Sequence, residues 1–471
     1  MAFPESEQTG NMSLPANKFL LHIFPSVLAH QPPGSVPYKA LPFGFKGWWA
    51  VADPHQLCGD EYGRIRLIKM RRNTMIEKRA IVAGHICLDI TPDLSSVPEG
   101  QFQSLLQPGK MIQTGRFSLE AGGAVANSGL ALHRLGVPTQ LIAKIGDDLY
   151  GEALQEILQQ EGPGLGETLI LDPGAPTSLT LILNPPGFDR SFLHFHGAND
   201  TFYASDLPRA LLEGADLFHF GYPSLMRSIY RGSGGELVSI LQRARRAGMT
   251  TSLDFSLPDP TSPAGRVDWV DLLENALPYT DIFLPSIEEL TFLLKRERHQ
   301  ALCNASSEPF ASKVPPSLLR ELGAMVLDLG PKAVLIKLGT RGVYLRTGAA
   351  EVWARGGRGL QGLTSDWYAR EIWAPAFKVS IQGTTGAGDA AVGGFLASIL
   401  QGTDPETALM MAAASGACVV ESPDRVRGLP DWNALLARVK KGWAVHPLEL
   451  DKNEWEKDTT NALWYKKLFA A

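Results

Sequence analysis

The sequence predicts an α/β fold, a three-layer α/β/α sandwich with a mostly parallel central sheet and a small β lid. Three observations predict it. Short apolar runs at 80–83, 217–220, 250–254, 282–284 and 333–337 alternate with helical segments, as parallel strands joined by crossover helices must. Two glycine-rich turns, Gly122-Gly123 and Gly383–Gly388, each open a helical stretch. A pair of strands around Pro185-Pro186-Gly187, with a further one near 116–119, breaks the alternation, as a flap standing on the sheet would.

Along the chain, residues 1–78 read as an N-terminal extension, either poorly ordered or preceding a natural start at Met75. They contain Pro32-Pro33-Gly34 and Trp48-Trp49 without periodicity, and end in a basic run from Arg64 to Lys78. The domain runs from 79 to 430. It opens with an apolar run at 80–83 that 86–90 continues as one buried strand. A helix is predicted from Gly122 to Leu135, a strand at 140–143 and a helix at 149–160, with the turn Gly146-Asp147-Asp148 starting the latter. The lid is expected from about 112–120 and 177–197. Residues 355–370, with four glycines, read as an exposed loop, and two helices follow at 387–400 and 405–420. Residues 431–471 are an amphipathic tail.

Composition excludes several classes. The chain is 44% hydrophobic and 20% charged with a net charge of −5, so no basic surface for nucleic acid is expected. No run reaches the ~18 apolar residues of a membrane span. The four cysteines, Cys58, Cys87, Cys303 and Cys418, are far apart and form no CxxC pair, which argues against a disulfide framework or zinc site and for a cytoplasmic protein.

The strongest local signal is Gly383-Thr384-Thr385-Gly386-Ala387-Gly388-Asp389 ahead of an apolar helix. Small residues let a ligand approach the backbone, and the free N–H groups of the helix end would receive phosphate. An acid there repels phosphate, so Asp389 is explained either as a base taking a proton from an attacking hydroxyl or as a capping residue. The GxxxxGK[ST] phosphate loop is absent. A second signal, Glu120-Ala121-Gly122-Gly123 through Asn127, offers backbone amides and a carboxamide to a polyol, or simply a tight helix–sheet turn. Asp89, at the end of the first strand, suits two sugar hydroxyls. Glu288 and Glu289 follow Pro285-Ser286 at a strand end, where they could serve Mg²⁺-bound phosphates or a helix dipole. Lys337-Leu338-Gly339 to Gly342 is a strand–turn–strand. His194 and His196 face one side of a lid strand with no third metal ligand indicated.

In order and spacing these pieces resemble the ribokinase-like (PfkB) carbohydrate kinases over about residues 79–430. The resemblance implies eight or nine central strands, ATP with Mg²⁺, a polyhydroxylated acceptor, and a homodimer through the lid. It implies acceptor binding by Asp89, Gly122, Gly123 and Asn127, an anion hole at Gly386, Ala387 and Gly388, and Asp389 as base. Gly339 would lie along the nucleotide, and Glu289 would support the metal indirectly. Three positions depart from the family pattern: Gly383 for Asp, Gly129 for Ala and Ser286 for Asn. The expected activity is phosphoryl transfer to a sugar hydroxyl. The alternatives are a nucleoside kinase of the same fold or an inactive sugar- or nucleotide-binding regulator.

Overall fold

Strand β1 (Ala80–Gly84) is buried along its whole length. Ala80 and Val82 join one apolar cluster while Ile81 and Ala83 join another. A strand buried on both faces has to lie between two layers of helices. The computed structural model describes residues 78–102, 106–188 and 190–467, so the predicted extension lies outside the described residues apart from residue 78.

The remaining strands are β2 (Cys87–Pro92), β3 (Phe117–Gly122), β4 (Thr139–Ile142), β5 (Lys144–Gly146), β6 (Ile170–Asp172), β7 (Leu179–Leu183), β8 (Ser191–Phe195) and β9 (Leu217–Gly221), followed by β10 (Thr250–Asp254), β11 (Ile282–Phe283), β12 (Ala333–Lys337), β13 (Val343–Thr347), β14 (Glu371–Ala374), β15 (Trp455–Lys457) and β16 (Trp464–Lys466). The central sheet has the order β15-β16-β14-β13-β12-β11-β10-β9-β1-β4. From β4 to β12 its pairs are parallel; beyond β12 they are antiparallel. The helices that matter for the site are α1 (Gly123–Arg134), α2 (Leu149–Glu161), α3 (Ile287–Leu294), α4 (Ala387–Gln401) and α5 (Pro405–Glu421). Asp148 caps α2, accepting from Gly151 N–H, as its place in the turn predicted. Among the described residues no helix is long and apolar enough to cross a membrane.

Three local differences from the sequence reading have physical causes. First, residues 86–90 do not continue β1. The Asn199 carboxamide brackets Ile86, accepting from its N–H at 3.1 Å and donating to its C=O at 2.8 Å. With that backbone unit satisfied, the chain leaves the central sheet and enters the lid as β2. Second, the segment 355–370 is packed: Leu360 and Trp367 are buried. Arg358 donates to the carbonyls of Ala215 and Ala247, and Thr250 Oγ accepts from Leu360 N–H, so the segment covers the starts of β9 and β10. Third, the tail widens the sheet beyond the eight or nine strands implied, because Trp455 of β15 packs on Tyr344 and Trp373 of β13 and β14 with ring centroids 6.4 and 6.1 Å apart.

The lid is a second sheet, β3-β2-β7-β8. Its pairing puts Phe117, Leu119, Ile90, Leu181, Leu193 and Phe195 on one face, and Glu120, Asp89, Thr180, His194 and Phe192 on the other. The polar face turns toward the body; the apolar face leaves Phe117, Leu119, Leu193 and Phe195 exposed.

Candidate active site

The parallel strands end along one edge, and the first turn of α4 meets that edge from Gly386. Gly386 takes a left-handed φ of 78°, which a β-carbon would strain, and this turns the chain into the helix with no side chain capping it. Asp389 is therefore not an N-cap. Its Oδ1 accepts from the Tyr222 hydroxyl at 2.6 Å and its Oδ2 from the Asn127 carboxamide at 2.9 Å, which removes the capping explanation of this acid. Tyr222 follows β9 in a left-handed conformation of its own (φ 60°), a strain of the kind surroundings must hold in place. Asn127 stands one turn into α1. Residues 386–388 form the helix end, where Ala387 N–H donates to Thr384 C=O at 3.3 Å, beside the Lys337 side chain, whose Nζ would lie 3.8 Å from a β-carbon on Gly388.

Behind Asp389 lies a buried charge cluster. Lys337, at the end of β12, places Nζ 2.7 Å from Asp254 Oδ1, at the end of β10. The second oxygen, Asp254 Oδ2, is buried without a hydrogen-bond partner. Burial pushes Asp254 up to about 8 against the pull of Lys337, with Glu289 and Asp389 adding to the rise. Burial likewise raises Asp389, opposed by Lys337, Tyr222 and Asn127. Burial works to lower Lys337, but Asp254, Glu289 and Asp389 together outweigh it and raise it. Glu289 closes a capping box with Ser286: its Oε2 accepts from Ser286 N–H at 2.7 Å, while Ser286 Oγ accepts from Glu289 N–H at 3.2 Å. Ser286 thus does at this position what α3 requires, and Glu289 still faces the cluster. Gly339 lies exposed in the turn after β12, on the same edge.

The lid supplies the opposite wall. Asp89 sits on β2 rather than at the end of a central strand, opposite Glu120 of β3. A β-carbon on Gly122 would strike the Asp89 carboxyl at 2.4 Å, so glycine is what gives this acid its room. Arg425, in a left-handed turn after α5, bridges Asp89 Oδ2 at 3.3 Å and Glu120 Oε2 at 2.8 Å. Burial raises Asp89 even so. The first turn of α1 connects the two walls, Gly122 at its start touching Asp89 and Asn127 touching Asp389. At Gly129 a β-carbon would meet the end of Leu141, whose side chain fills the space, while one at Gly383 would meet open space.

His194 is not isolated. Its Nε2 lies 3.3 Å from His85 Nε2 and its Nδ1 3.0 Å from Thr180 Oγ; Cys87 Sγ is within 4.8 Å of both histidine ligand atoms. So the third group that the sequence did not indicate is present; burial and His196 bring His194 down to about 4, while burial and Asp89 push the Cys87 thiol well up, against the thiolate a metal would need. His196 is tied to Leu225 C=O at 2.9 Å.

Sequence reasoning missed Tyr222, Asp254, Lys337 as a cation, and Arg425. Tyr222 and Asp254 had a signal, since each stands at or just past the end of a parallel strand, the edge where ligands of such sheets bind. Arg425, 336 residues from Asp89 in the chain, had none.

An open-edged parallel sheet, a helix opening at a glycine turn, a buried carboxylate in its first turn and a lid with a polar inner face are the parts of a phosphotransferase of the sandwich type. A family model described as pfkB family carbohydrate kinase matches residues 82–432, and the chain belongs to that family. It is 28% identical to "Probable fructokinase-6, chloroplastic" of Arabidopsis thaliana over 332 residues, covering 68% of this chain and 74% of that protein. The fold matches Arabidopsis thaliana ribokinase complexed with ribose and ATP (TM-score 0.55, 20% identity, 76% and 98% of the two chains). It also matches Xylella fastidiosa fructokinase with bound ATP (TM-score 0.55, 21% identity, 77% and 99%).

Proposed function

We propose that the chain transfers the γ-phosphoryl group of ATP to a hydroxyl of a free sugar, with a ketohexose such as fructose as the first acceptor to try. The observation that carries this reading is Asp389, buried beside the uncapped amides of α4 with both oxygens oriented by Tyr222 and Asn127. In the reaction the acceptor hydroxyl forms the new O–P bond, the bond from the γ-phosphorus to the bridging oxygen breaks to release ADP, and the hydroxyl proton passes to Asp389. Asp89, Gly122, Gly123 and Asn127 hold the acceptor. The amides of Gly386, Ala387 and Gly388 stabilise charge on the transferred group, joined by the Lys337 ammonium. Gly339 lies along the nucleotide.

Mg²⁺ fits the residues present. Three carboxylates, Asp254, Glu289 and Asp389, face a single ammonium, and Asp254 Oδ2 is a buried oxygen without a partner. Hard carboxylate oxygens are what this cation prefers. Asp254 and Glu289 would hold it through water, and bound Mg²⁺ would neutralise phosphate charge. The fructokinase name of the relative and the ribose and ATP of the structural neighbour support the substrate classes.

The apolar lid face, with Leu193 61% and Phe195 50% exposed, supports a homodimer through the lid. Free Cys87, Cys303 and Cys418 among the described residues fit a reducing compartment, and the cytoplasm is the proposed one.

The test is ADP release with MgATP across ketohexoses, aldohexoses, pentoses and nucleosides. Acceptor-dependent release with a sugar is expected; release with nucleosides alone, or none above the acceptor-free rate, contradicts the reading.

A further inference from the structure

We propose that Glu288, His299 and Cys303 form a second metal site, built for Zn²⁺ or a similarly thiophilic divalent cation. The site stands apart from the reaction assigned above and needs no nucleotide. Glu288 lies in the first turn of α3. The chain breaks helical geometry at Lys295 and turns into a further helix, Arg296–Ala305, that packs back on α3. Glu288 and Phe292 are four residues apart and share a face of α3, as His299 and Cys303 share a face of the second helix. The two faces meet at the imidazole. Phe292 stands edge-on to His299 with centroids 5.3 Å apart, and Phe310 stacks on it at 5.1 Å. Two rings thus hold a buried histidine between them.

Glu288 Oε1 lies 3.9 Å from His299 Nε2. Cys303 Sγ lies 3.8 Å from each nitrogen of the same ring. All three ligand atoms fall within 4.8 Å of one another. Around Zn²⁺, bonds of ~2.0 Å to nitrogen and oxygen and ~2.3 Å to sulfur set the donors about 3.3–3.6 Å apart. Glu288 and Cys303 both reach the surface, so their side chains can close that gap and an ion can arrive from solvent. Cys87, in the buried pair of histidines under the lid, has no such access. The donor types then select the ion. Mg²⁺ prefers hard oxygens and would leave the sulfur unused. A carboxylate, an imidazole and a thiolate are donors of Zn²⁺, with water completing the tetrahedron. Burial lowers His299, with Arg296 adding to the effect, so near neutral pH the ring keeps a lone pair for a metal.

Two cations border the cluster without occupying it. Arg296 lies over the Phe292 ring and donates to Val267 C=O, and Lys313 lies over the Phe310 ring and donates to Ser306 C=O. Among the described residues neither forms an ion pair with Glu288, whose carboxylate has His299 beside it. An ion held here ties the second helix to the first turn of α3. The next residue, Glu289, closes the capping box of that turn and faces the cluster behind Asp389. Bound Zn²⁺ therefore stiffens the turn that positions Glu289. Paired cysteines would not reveal such a site, because two of its three donors are not cysteine and one comes from another helix.

The experiment compares wild type, Cys303→Ser and Glu288→Gln as full chains, stripped of metal with a chelator. Co²⁺, which enters zinc sites and absorbs in the near ultraviolet when bound to thiolate, is titrated into each, and melting temperatures are read with and without Zn²⁺. Wild type should show the thiolate band saturating at one cobalt per chain, and Zn²⁺ should displace the cobalt and raise the melting temperature. Cys303→Ser should lose both the band and the thermal shift. Glu288→Gln should keep the band but bind cobalt about 100-fold more weakly or worse, since even the loss of a group outside the ligand shell costs about 10- to 100-fold. A wild type without the band, a band undiminished in Cys303→Ser, as binding at Cys58 or Cys87 would give, or equal cobalt affinity in Glu288→Gln would each overturn the proposal. None of these readings uses turnover, so they stand whatever the acceptor of the kinase reaction.

Discussion

Two aspartates face the site from opposite walls, and both are buried. Asp389 is fixed by groups of the body: Tyr222 after β9 and Asn127 of α1 hold its oxygens, and Lys337 and Asp254 lie behind it. Asp89 belongs to the lid, and its charged partner Arg425 reaches it from the body. One carboxylate is thus held wholly by groups of the body, whereas the other lies on the lid with an arginine of the body against it. Chemistry needs the first kind of placement and selection of an acceptor can use the second.

If that division is right, substitutions on the two walls fail differently. The largest loss is expected for Asp389→Asn, which keeps shape but cannot take a proton: turnover should fall by ~10²–10⁴ with ATP affinity unchanged or improved. Steady-state kinetics with a parallel binding titration checks it.

Next comes the cluster behind Asp389. Lys337→Met leaves three buried carboxylates without their cation and should cost about 3–5 kcal/mol of stability near pH 8. Asp254, held near 8 by burial, binds its proton more tightly in the fold than in the unfolded chain. Stability from this group is therefore full below the ordinary carboxylate range and falls as pH rises toward about 8. Without Lys337 that fall is steeper, so the loss in melting temperature should be greater at pH 8 than at pH 5. Equal losses would mean that the carboxylates stay protonated throughout.

On the lid wall, Asp89→Ala should raise the acceptor KM by about 10- to 100-fold, for about 1.5–3 kcal/mol of charge-assisted hydrogen bonding, and leave the ATP KM alone. Arg425→Ala should move the same constant in the same direction. Were either to lower turnover as Asp389→Asn does, the distinction between walls would collapse. The smallest effect on turnover belongs to the outer lid face: Leu193→Glu should convert a dimer into monomers in light scattering with turnover nearly kept, and a monomeric wild type would exclude that assembly.

Much of the body was legible because its strands and helices carry their periods locally. The runs at 217–220, 250–254 and 333–337 became β9, β10 and β12 within a residue, and α4 and α5 each end one residue beyond the predicted limit. Asp389 could be singled out because an acid in the first turn after a glycine-rich loop of the kind that receives phosphate conflicts with that setting. The lid was legible only in part. Asp89 lies in an apolar run that reads as a continuation of β1, and what diverts it is the Asn199 side chain, a contact between distant residues. Arg425 and the buried Trp367 were hidden for the same reason: their partners are set by the tertiary fold, and nothing in the adjacent sequence carries that information.

The most direct test of the central claim is to identify the product. Wild-type enzyme incubated with MgATP and its best sugar acceptor should yield, by ³¹P NMR and mass spectrometry, one sugar phosphomonoester for each ADP formed, and Asp389→Asn should form almost none over the same period. ADP accompanied by inorganic phosphate in place of a phosphorylated sugar, or product formed at an undiminished rate by Asp389→Asn, would contradict it.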